Sequence, residues 1–228
     1  LPPGRAPSVY RDDPESFQEA LMHPNPSFRG PDAARNLAFA RARSFGVLTV
    51  VGDNAPLISH IPFVLAEDGG SFMAHIVKSN PIWRALRSGP RTAAIIVSGP
   101  DAYISPDWYG IDDQVPTWNY VAVHLRGEVR LADEAGMRAH ADELSTQFET
   151  RLAPKPIWKS EKMDEEALHR MMRMIAPIEM TVESVEGTWK LGQNKADEVR
   201  GRAAEALKTS KIGSETASLA ALMADPPT

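Results

Sequence analysis

The middle of the chain is dominated by short runs in which apolar and polar residues alternate. This period of two is typical of half-buried β-strands, and the Gly, Asp, Asn and Pro residues between the runs are typical of turns. The candidate strands are FGVLTVV, PLISHIPFVL, GSFMAHIV, TAAIIVS, DAYIS, WNYVAVHLRGEVRL, PIEMTVESV and TWKL. The pattern predicts roughly seven short strands, with a bulge or bend at Gly127 and a turn at Glu186–Gly187.

Other segments space their apolar residues for helices. The candidate helices are DAARNLAFARAR, NPIWRALRS, DEAGMRAHADELSTQFETRL, DEEALHRMMRMI and the segment from Ala196 onward. A parallel βαβ fold would need a helix between most strands, and here most strands follow one another directly. The predicted fold class is therefore mainly β with peripheral α-helices, in which an antiparallel sheet closes into a barrel.

The domain organisation follows from the same pattern. Residues 1–31 are rich in Pro and polar groups, which predicts an N-terminal arm with little regular structure. Residues 32–209 carry the strand and helix patterns and are predicted to form a single domain. Residues 210–228 are predicted to be a C-terminal tail.

Composition excludes several classes of function. The chain has 25 Lys and Arg against 30 Asp and Glu, a net charge of −5, so no overall basic field attracts nucleic acid. It has no cysteine, which excludes disulfides, thiolate catalysis and cysteine-ligated zinc. No apolar run approaches the roughly 20 residues of a membrane span. We expect a cytoplasmic protein without a membrane segment.

The stretch HIVKSNPIW leaves a predicted strand and opens a predicted helix. Asn80 is a favoured N-cap and Pro81 a favoured first helical residue, so the helix is expected to begin there. The free N–H groups of a first helical turn attract anions, and Lys78 and Ser79 add a charge and a hydroxyl donor. The junction therefore predicts a phosphate site. The alternative is an ordinary capped helix beside an exposed lysine.

Two further stretches, VPTWNY and TWKLGQNK, place tryptophan beside amide side chains at the start and end of predicted strands. A ring surface with fixed hydrogen-bonding groups is what a flat heteroaromatic ligand requires. The alternative is that both rings belong to the core and the amides cap strand ends.

The histidines give a weaker signal. His60 and His75 fall on neighbouring predicted strands, and His124 falls on a third. None has a spacing typical of metal sites, so no metal site is predicted. A neutral imidazole bonding a ligand or a backbone carbonyl is the favoured use. No nucleophile elbow or glycine-rich nucleotide loop occurs, so no catalytic residue is assigned.

Taken in order, SHIP, AHIVKSNPIWR, GPDAYISPDWY, VPTWNY and GTWKLGQNK resemble the PaiB-type family, the FMN-binding negative transcriptional regulators. The resemblance covers about residues 44–207, and GPDAYISPDWY followed by VPTWNY is its most specific part. It implies the FMN-binding split barrel, usually a homodimer with flavin between the subunits. Lys78 stands where the family usually has an arginine. The chain departs from the pattern in three ways: Gly192 and Lys195 in KLGQNK replace a serine and an arginine, the loop between Trp108 and Val115 is shorter than usual, and the N-terminal region is longer.

The resemblance also implies a cofactor site. The FMN phosphate is expected at Lys78, and the flavin ring is expected between the histidines of the sheet and the two tryptophan stretches, some of them from the partner subunit. The candidate cofactor-binding residues are Ser59, His60, His75, Lys78, Ser79, Asn80, Pro81, Trp83, Thr117, Trp118, Asn119, Trp189, Gln193 and Asn194.

The implied function is FMN binding at a dimer interface for redox chemistry, as in an FMN-dependent oxidoreductase, or for sensing. One alternative is a transcriptional regulator that acts without flavin chemistry. Neither a helix-turn-helix nor a basic stripe is recognisable, so we expect no direct DNA binding. The other alternative is haem binding, for which His60, His75, His124 or His169 would have to reach the iron.

Overall fold

The structure is a computed structural model that describes residues 23, 25–30 and 32–227. The strands are β1 (Phe45–Val50), β2 (Leu57–Leu65), β3 (Ser71–Val77), β4 (Arg91–Ile104), β5 (Thr117–Leu131), β6 (Ile175–Lys190) and β7 (Gly213–Ser214). The helices are α1 (Ala33–Arg43), α2 (Pro81–Leu86), α3 (Met137–Glu149), α4 (Glu165–Met174), α5 (Asp197–Leu207) and α6 (Thr216–Ala224). Among the described residues no helix is long and apolar enough to cross a membrane.

Six strands form a closed antiparallel ring in the order β1, β2, β3, β6, β5, β4. The ring closes because β1 pairs with β4 as well as with β2, with Leu48 opposite Ile95. The short β7 pairs with the far part of β4, beyond the segment that β1 covers. The predicted fold, an antiparallel split barrel with peripheral helices, is confirmed.

The apolar residues of the alternating strands fill the interior of the barrel. Buried residues alternate with more exposed ones along β1, β2, β3 and β5 and the first half of β4. Many buried side chains have no solvent exposure, among them Leu48, Phe63, Phe72, Ile95, Leu125 and Ile178. The short helix α2 packs against this core through Ile82 and Leu86. Removing these side chains from water is the main favourable contribution to folding.

A second apolar cluster lies beside the barrel. It joins the far part of β4 and the end of β6 to α5 and α6, and it includes Tyr109, Trp189, Leu207, Leu219 and Met223. Residues 210–227, which the sequence sets apart as a tail, contribute β7 and α6 to this part of the structure. Of the predicted N-terminal arm, residues 1–22, 24 and 31 lie outside the described residues. Within the rest, Phe28 is buried and Arg29 pairs with Thr188.

Two strands are longer than predicted. TAAIIVS and DAYIS are one strand, β4, with a register shift between Ser98 and Asp101. The predicted turn at Glu186–Gly187 was wrong, because both residues lie within β6. Gly187 serves close packing instead: a Cβ atom there would lie 2.2 Å from Oδ1 of Asn36.

The predicted irregularity at Gly127 is confirmed. The register of β5 against β6 shifts between Arg126 and Gly127. A Cβ atom on Gly127 would lie 1.9 Å from the carbonyl oxygen of Thr181, so only glycine allows the two backbones to approach this closely.

Candidate functional site

The junction between β3 and α2 has the predicted local structure. Oδ1 of Asn80 accepts a hydrogen bond from the backbone N–H of Ile82 (2.9 Å), and Pro81 is the first helical residue. Nδ2 of Asn80 donates to Oγ of Ser59 on β2 (3.2 Å). The cap therefore fixes the helix start and also brings a hydroxyl from a neighbouring strand to the junction.

Lys78 lies at this junction, but its charge is already paired. Its Nζ atom is 2.7 Å from Oε1 of Glu134, whose side chain is 66% exposed against 28% for Lys78. The backbone N–H of Lys78 donates to the carbonyl oxygen of Met174 (2.8 Å), which ties the junction to the start of β6. Ser79 beside it is exposed. Lys78, the predicted phosphate-binding cation, is thus held in an ion pair with the solvent-exposed carboxylate of Glu134.

Glu134 also lines a cavity of about 350 Å³. Its lining combines apolar side chains with several cationic or titratable ones, and consists of Glu134, Ala135, Met137, Arg138, His169, Met172, Arg173 and Ile175. Glu134 is the one acid among these lining residues.

Trp83, also predicted as a site residue, packs partly against the barrel core from α2. The guanidinium carbon of Arg87 lies 5.2 Å from the centroid of its ring, in a cation–π contact. Trp83 therefore supports the junction, and its ring is half-buried.

His75 faces helix α3. Its Nδ1 atom lies 3.4 Å from Nε2 of His140, which is only 4% exposed. Burial lowers the pKa of His75, and burial together with the charge of His75 lowers the pKa of His140 to about 4. Both imidazoles are therefore neutral at pH 7, and a bond from His75 to a ligand stays a prediction.

His60 lies on the outer face of β2, where it is exposed. In the strand register it is opposite Val47, which is opposite Ile96, which is opposite His124. Burial lowers the pKa of His124, with Arg126 as a further cause. This row runs across the outside of the barrel through a face that is largely apolar. Ile58, two residues before His60, is 61% exposed, and Phe45 on β1 is 52% exposed.

The residues of VPTWNY lie where β5 begins. Oγ1 of Thr117 accepts a hydrogen bond from Nζ of Lys190 (2.5 Å). Asn119 is buried, and its Nδ2 atom lies 3.4 Å from the sulfur of Met223. Trp118 is 47% exposed and contacts Tyr103 edge to face. Of these three, Trp118 is the one that presents an open ring surface.

The residues of TWKLGQNK lie where β6 ends. Trp189 is buried, and its Nε1 atom donates to Oδ1 of Asn36 (2.9 Å). Gln193 accepts from the N–H of Leu191 (2.8 Å) and donates to the carbonyl oxygen of Trp189 (2.5 Å). Asn194 is exposed. Trp189 and Gln193 thus already have partners within one chain, and their contact with a flavin stays a prediction.

Apart from His60 and His75, the predicted residues therefore fall into two groups. We call them the junction group (Ser59, Lys78, Ser79, Asn80, Pro81 and Trp83) and the tryptophan group (Thr117, Trp118, Asn119, Trp189, Gln193 and Asn194). Val77, next to the junction group, pairs with the first residue of β6. Tyr120, next to the tryptophan group, pairs with the last. β6 is 16 residues long. One chain thus carries the two groups at opposite ends of β6 and does not bring them together.

Sequence reasoning missed two residues of this region, Glu134 and His140. Both follow the long strand β5 in the chain, more than 50 positions from the motif that contains Lys78. Their contacts depend on how α3 and the turn before it pack over β3. No local pattern signals that packing.

Comparison with known proteins agrees with this fold. Residues 22–184 match the family described as "Putative FMN-binding domain". The chain is 26% identical over 170 residues to the Bacillus subtilis "Protease synthase and sporulation protein PAI 2", covering 74% of this chain and 80% of that protein.

Two solved structures share the fold. The FAD and haem binding protein from Mycobacterium smegmatis matches with a TM-score of 0.52 and 16% identity over 81% of this chain and 82% of that one. The flavocytochrome Anf3 from Azotobacter vinelandii matches with a TM-score of 0.51 and 13% identity over 82% and 78%.

Proposed function

The chain belongs to the family described as "Putative FMN-binding domain", and we propose that it holds one FMN at each of two sites formed between two copies of itself. It is an FMN-binding split-barrel protein that resembles PaiB. The observation that carries the proposed location is the junction group, where Lys78, Ser79 and the hydroxyl of Ser59 meet at the start of α2.

The junction group fits a phosphate. Lys78 offers a positive charge on a flexible stem, and the hydroxyls of Ser59 and Ser79 can donate hydrogen bonds. Asn80 uses its own oxygen on the N–H of Ile82, so it orders the junction and leaves the hydroxyls for the ligand. A doubly charged phosphate would compete with Glu134, the ion-pair partner of Lys78, for the charge of that lysine.

The ring half of the site uses different residues. The exposed ring of Trp118 offers a stacking surface, and His60 offers a hydrogen-bonding group on the outer face of β2. Bound FMN would supply one- or two-electron redox chemistry, while the protein would orient the ring and keep water from it. No acid or base is assigned a catalytic part, so redox chemistry and flavin sensing are both compatible with the proposed site.

The dimer is part of the proposal because the junction and tryptophan groups lie at opposite ends of β6 in one chain. A two-fold axis through the barrel face would place the junction group of one copy beside the tryptophan group of the other. The apolar outer face around Ile58 and Phe45 is a suitable surface for such an isologous contact. A cytoplasmic location, expected from the cysteine-free composition, completes the proposal.

We expect no direct sequence-specific DNA binding by this chain. Residues 195–208 carry the most cations in the C-terminal region, and these side chains bond to other groups of the same chain. Arg200 donates to the carbonyl oxygen of Met223, and Arg202 donates to that of Tyr109. Lys208 pairs with a glutamate one turn earlier. Cations already held in this way make poor contacts to a phosphate backbone.

The proposal is tested by flavin titration of the purified chain, followed by absorbance and fluorescence. We expect FMN to bind with the two absorption bands of a flavin. Replacing Lys78 with Glu places a negative charge beside the phosphate and should weaken binding about tenfold or more, or about 1.4 kcal/mol.

Lys208→Glu is the matched control, since Lys208, just after the end of α5, is another lysine paired with a glutamate. It should leave the FMN affinity unchanged. Unchanged affinity in Lys78→Glu would move the phosphate to another site. A Soret band in the purified protein, with no FMN binding, would favour the haem alternative.

A further inference from the structure

Glu134 is held beside Lys78 by its backbone as well as by its charge. It opens a short helical turn that is capped by Asp133, whose Oδ1 atom accepts from the N–H of Ala135 (3.0 Å). The preceding residue, Ala132, donates to the carbonyl oxygen of Pro177 on β6 (3.0 Å). The backbone of Lys78 is tied to Met174, three residues before Pro177. The acid and the cation are thus anchored to the same stretch of chain.

This carboxylate does little for packing. Its side chain is 66% exposed, and Lys78 is its ion-pair partner among the described residues. It is also the one acid in the lining of the neighbouring cavity, to which Arg138, Arg173 and His169 contribute. Arg138 already has a carboxylate partner in Asp142, so the charge that Glu134 balances is that of Lys78. A surface ion pair of this kind adds little stability, so stability does not account for the placement of the acid.

We propose that Glu134 is a built-in competitor for the flavin phosphate, a residue that lowers FMN affinity by holding Lys78 until a phosphate displaces it. The inference rests on the proposed phosphate site at Lys78. Binding of FMN must break the Lys78–Glu134 pair and leaves a negative carboxylate close to a negative phosphate. Both effects weaken the binding of ligands that carry the phosphate. They leave the binding of riboflavin, which lacks the phosphate, unaffected. Glu134 therefore sets how strongly the site distinguishes FMN from riboflavin.

The test is titration of the full chain with FMN and, separately, with riboflavin, in the wild type and in Glu134→Gln. The amide keeps the size of the side chain and removes its charge. We expect the Kd for FMN to fall about three- to tenfold, because an exposed ion pair such as Lys78–Glu134 contributes only modestly. The Kd for riboflavin should stay within the error of the measurement. Glu205→Gln, which breaks the exposed Lys208–Glu205 pair (2.6 Å), is the matched control and should change neither constant.

A double-mutant cycle separates competition for Lys78 from a general change of charge. In the Lys78→Met background, Glu134→Gln should improve FMN binding clearly less than it does in the wild type. Equal gains in the two backgrounds would overturn the inference, as would weaker FMN binding in Glu134→Gln.

The two proposals fail in different ways. If the wild type binds no FMN, or binds it with an affinity indifferent to Lys78→Glu, the proposed phosphate site is wrong. If Lys78→Glu weakens binding while Glu134→Gln leaves it unchanged, the site stands and the competition by Glu134 is wrong.

Discussion

His140 is a buried base whose Nδ1 atom has no hydrogen-bond partner among the described residues. Its other ring nitrogen faces Nδ1 of His75 across the contact between α3 and β3. A proton on His140 would be costly, because the ring is buried and a second imidazole lies beside it. At the scale of single residues, this pair makes the stability of the fold sensitive to acid.

Stability should therefore fall as the pH falls. The pKa of His140 is lowered from its ordinary value of 6.5 to about 4, so the unfolded chain binds the proton more readily throughout that interval. The stability of the fold with a neutral His140 is fully present above about pH 6.5 and is lost progressively as the pH falls towards 4. Between pH 7 and pH 5 we expect a loss on the order of 1–2 kcal/mol in the free energy of unfolding, measured by urea titration.

His140→Leu should remove most of this dependence on pH, since it replaces the titrating ring with an apolar side chain. His169→Leu, at an exposed position on α4, is the control and should keep the wild-type slope. The same slope in His140→Leu and the wild type would contradict the assignment to this pair.

Local chemistry explains which residues of the site could be read from the sequence. Asn80 and Pro81 carry their preference for a helix start within the residues themselves, and the structure uses them as predicted. Glu134 and His140 become important only through packing between distant segments. For the same reason the sequence did not show that Trp189 is bonded to Asn36, which lies 153 positions away.

At the scale of elements, glycine decides where the strands can approach. Gly127→Ala would push a Cβ atom against the backbone of Thr181, where a contact of 1.9 Å leaves no room. We expect it to destabilise the fold by about 1–3 kcal/mol, as overpacking usually does, with a lower urea midpoint. Gly201→Ala is the matched control, because nothing lies within 4 Å of a Cβ atom at this position in α5.

In the control the added methyl group should stabilise the helix by about 0.5–1 kcal/mol. A Gly127→Ala variant as stable as the wild type would mean that β5 and β6 can separate without cost.

Gly127 and Gly187 also show how much the sequence could reveal about the strands. An isolated glycine signals an irregularity, which was right at Gly127. It does not tell a turn from a close approach, which is why Gly187 was misread.

At the scale of the whole molecule, the outer face of β1 and β2 carries the prediction of the dimer. Ile58→Glu places a charge on an apolar surface that the proposed partner would cover, and burial of an unpaired charge is strongly unfavourable. We expect the wild type to sediment as a dimer at micromolar concentration and Ile58→Glu to sediment as a monomer.

Leu152→Glu is the control, since Leu152 is an apolar residue that is 53% exposed but lies in the segment that follows α3 and not on β1 or β2. It should sediment as the wild type does. A wild-type chain that sediments as a monomer would contradict the dimer and, with it, the shared flavin site.

The length of β6 has a consequence for how such a protein would behave in a cell. If two copies share each pocket as proposed, a lone chain would have no complete pocket, and FMN binding would require two chains to associate. Flavin occupancy would then rise steeply with expression level and vanish on dilution, even at constant FMN. Flavin occupancy would thus depend on the abundance of the protein as well as on the supply of its cofactor.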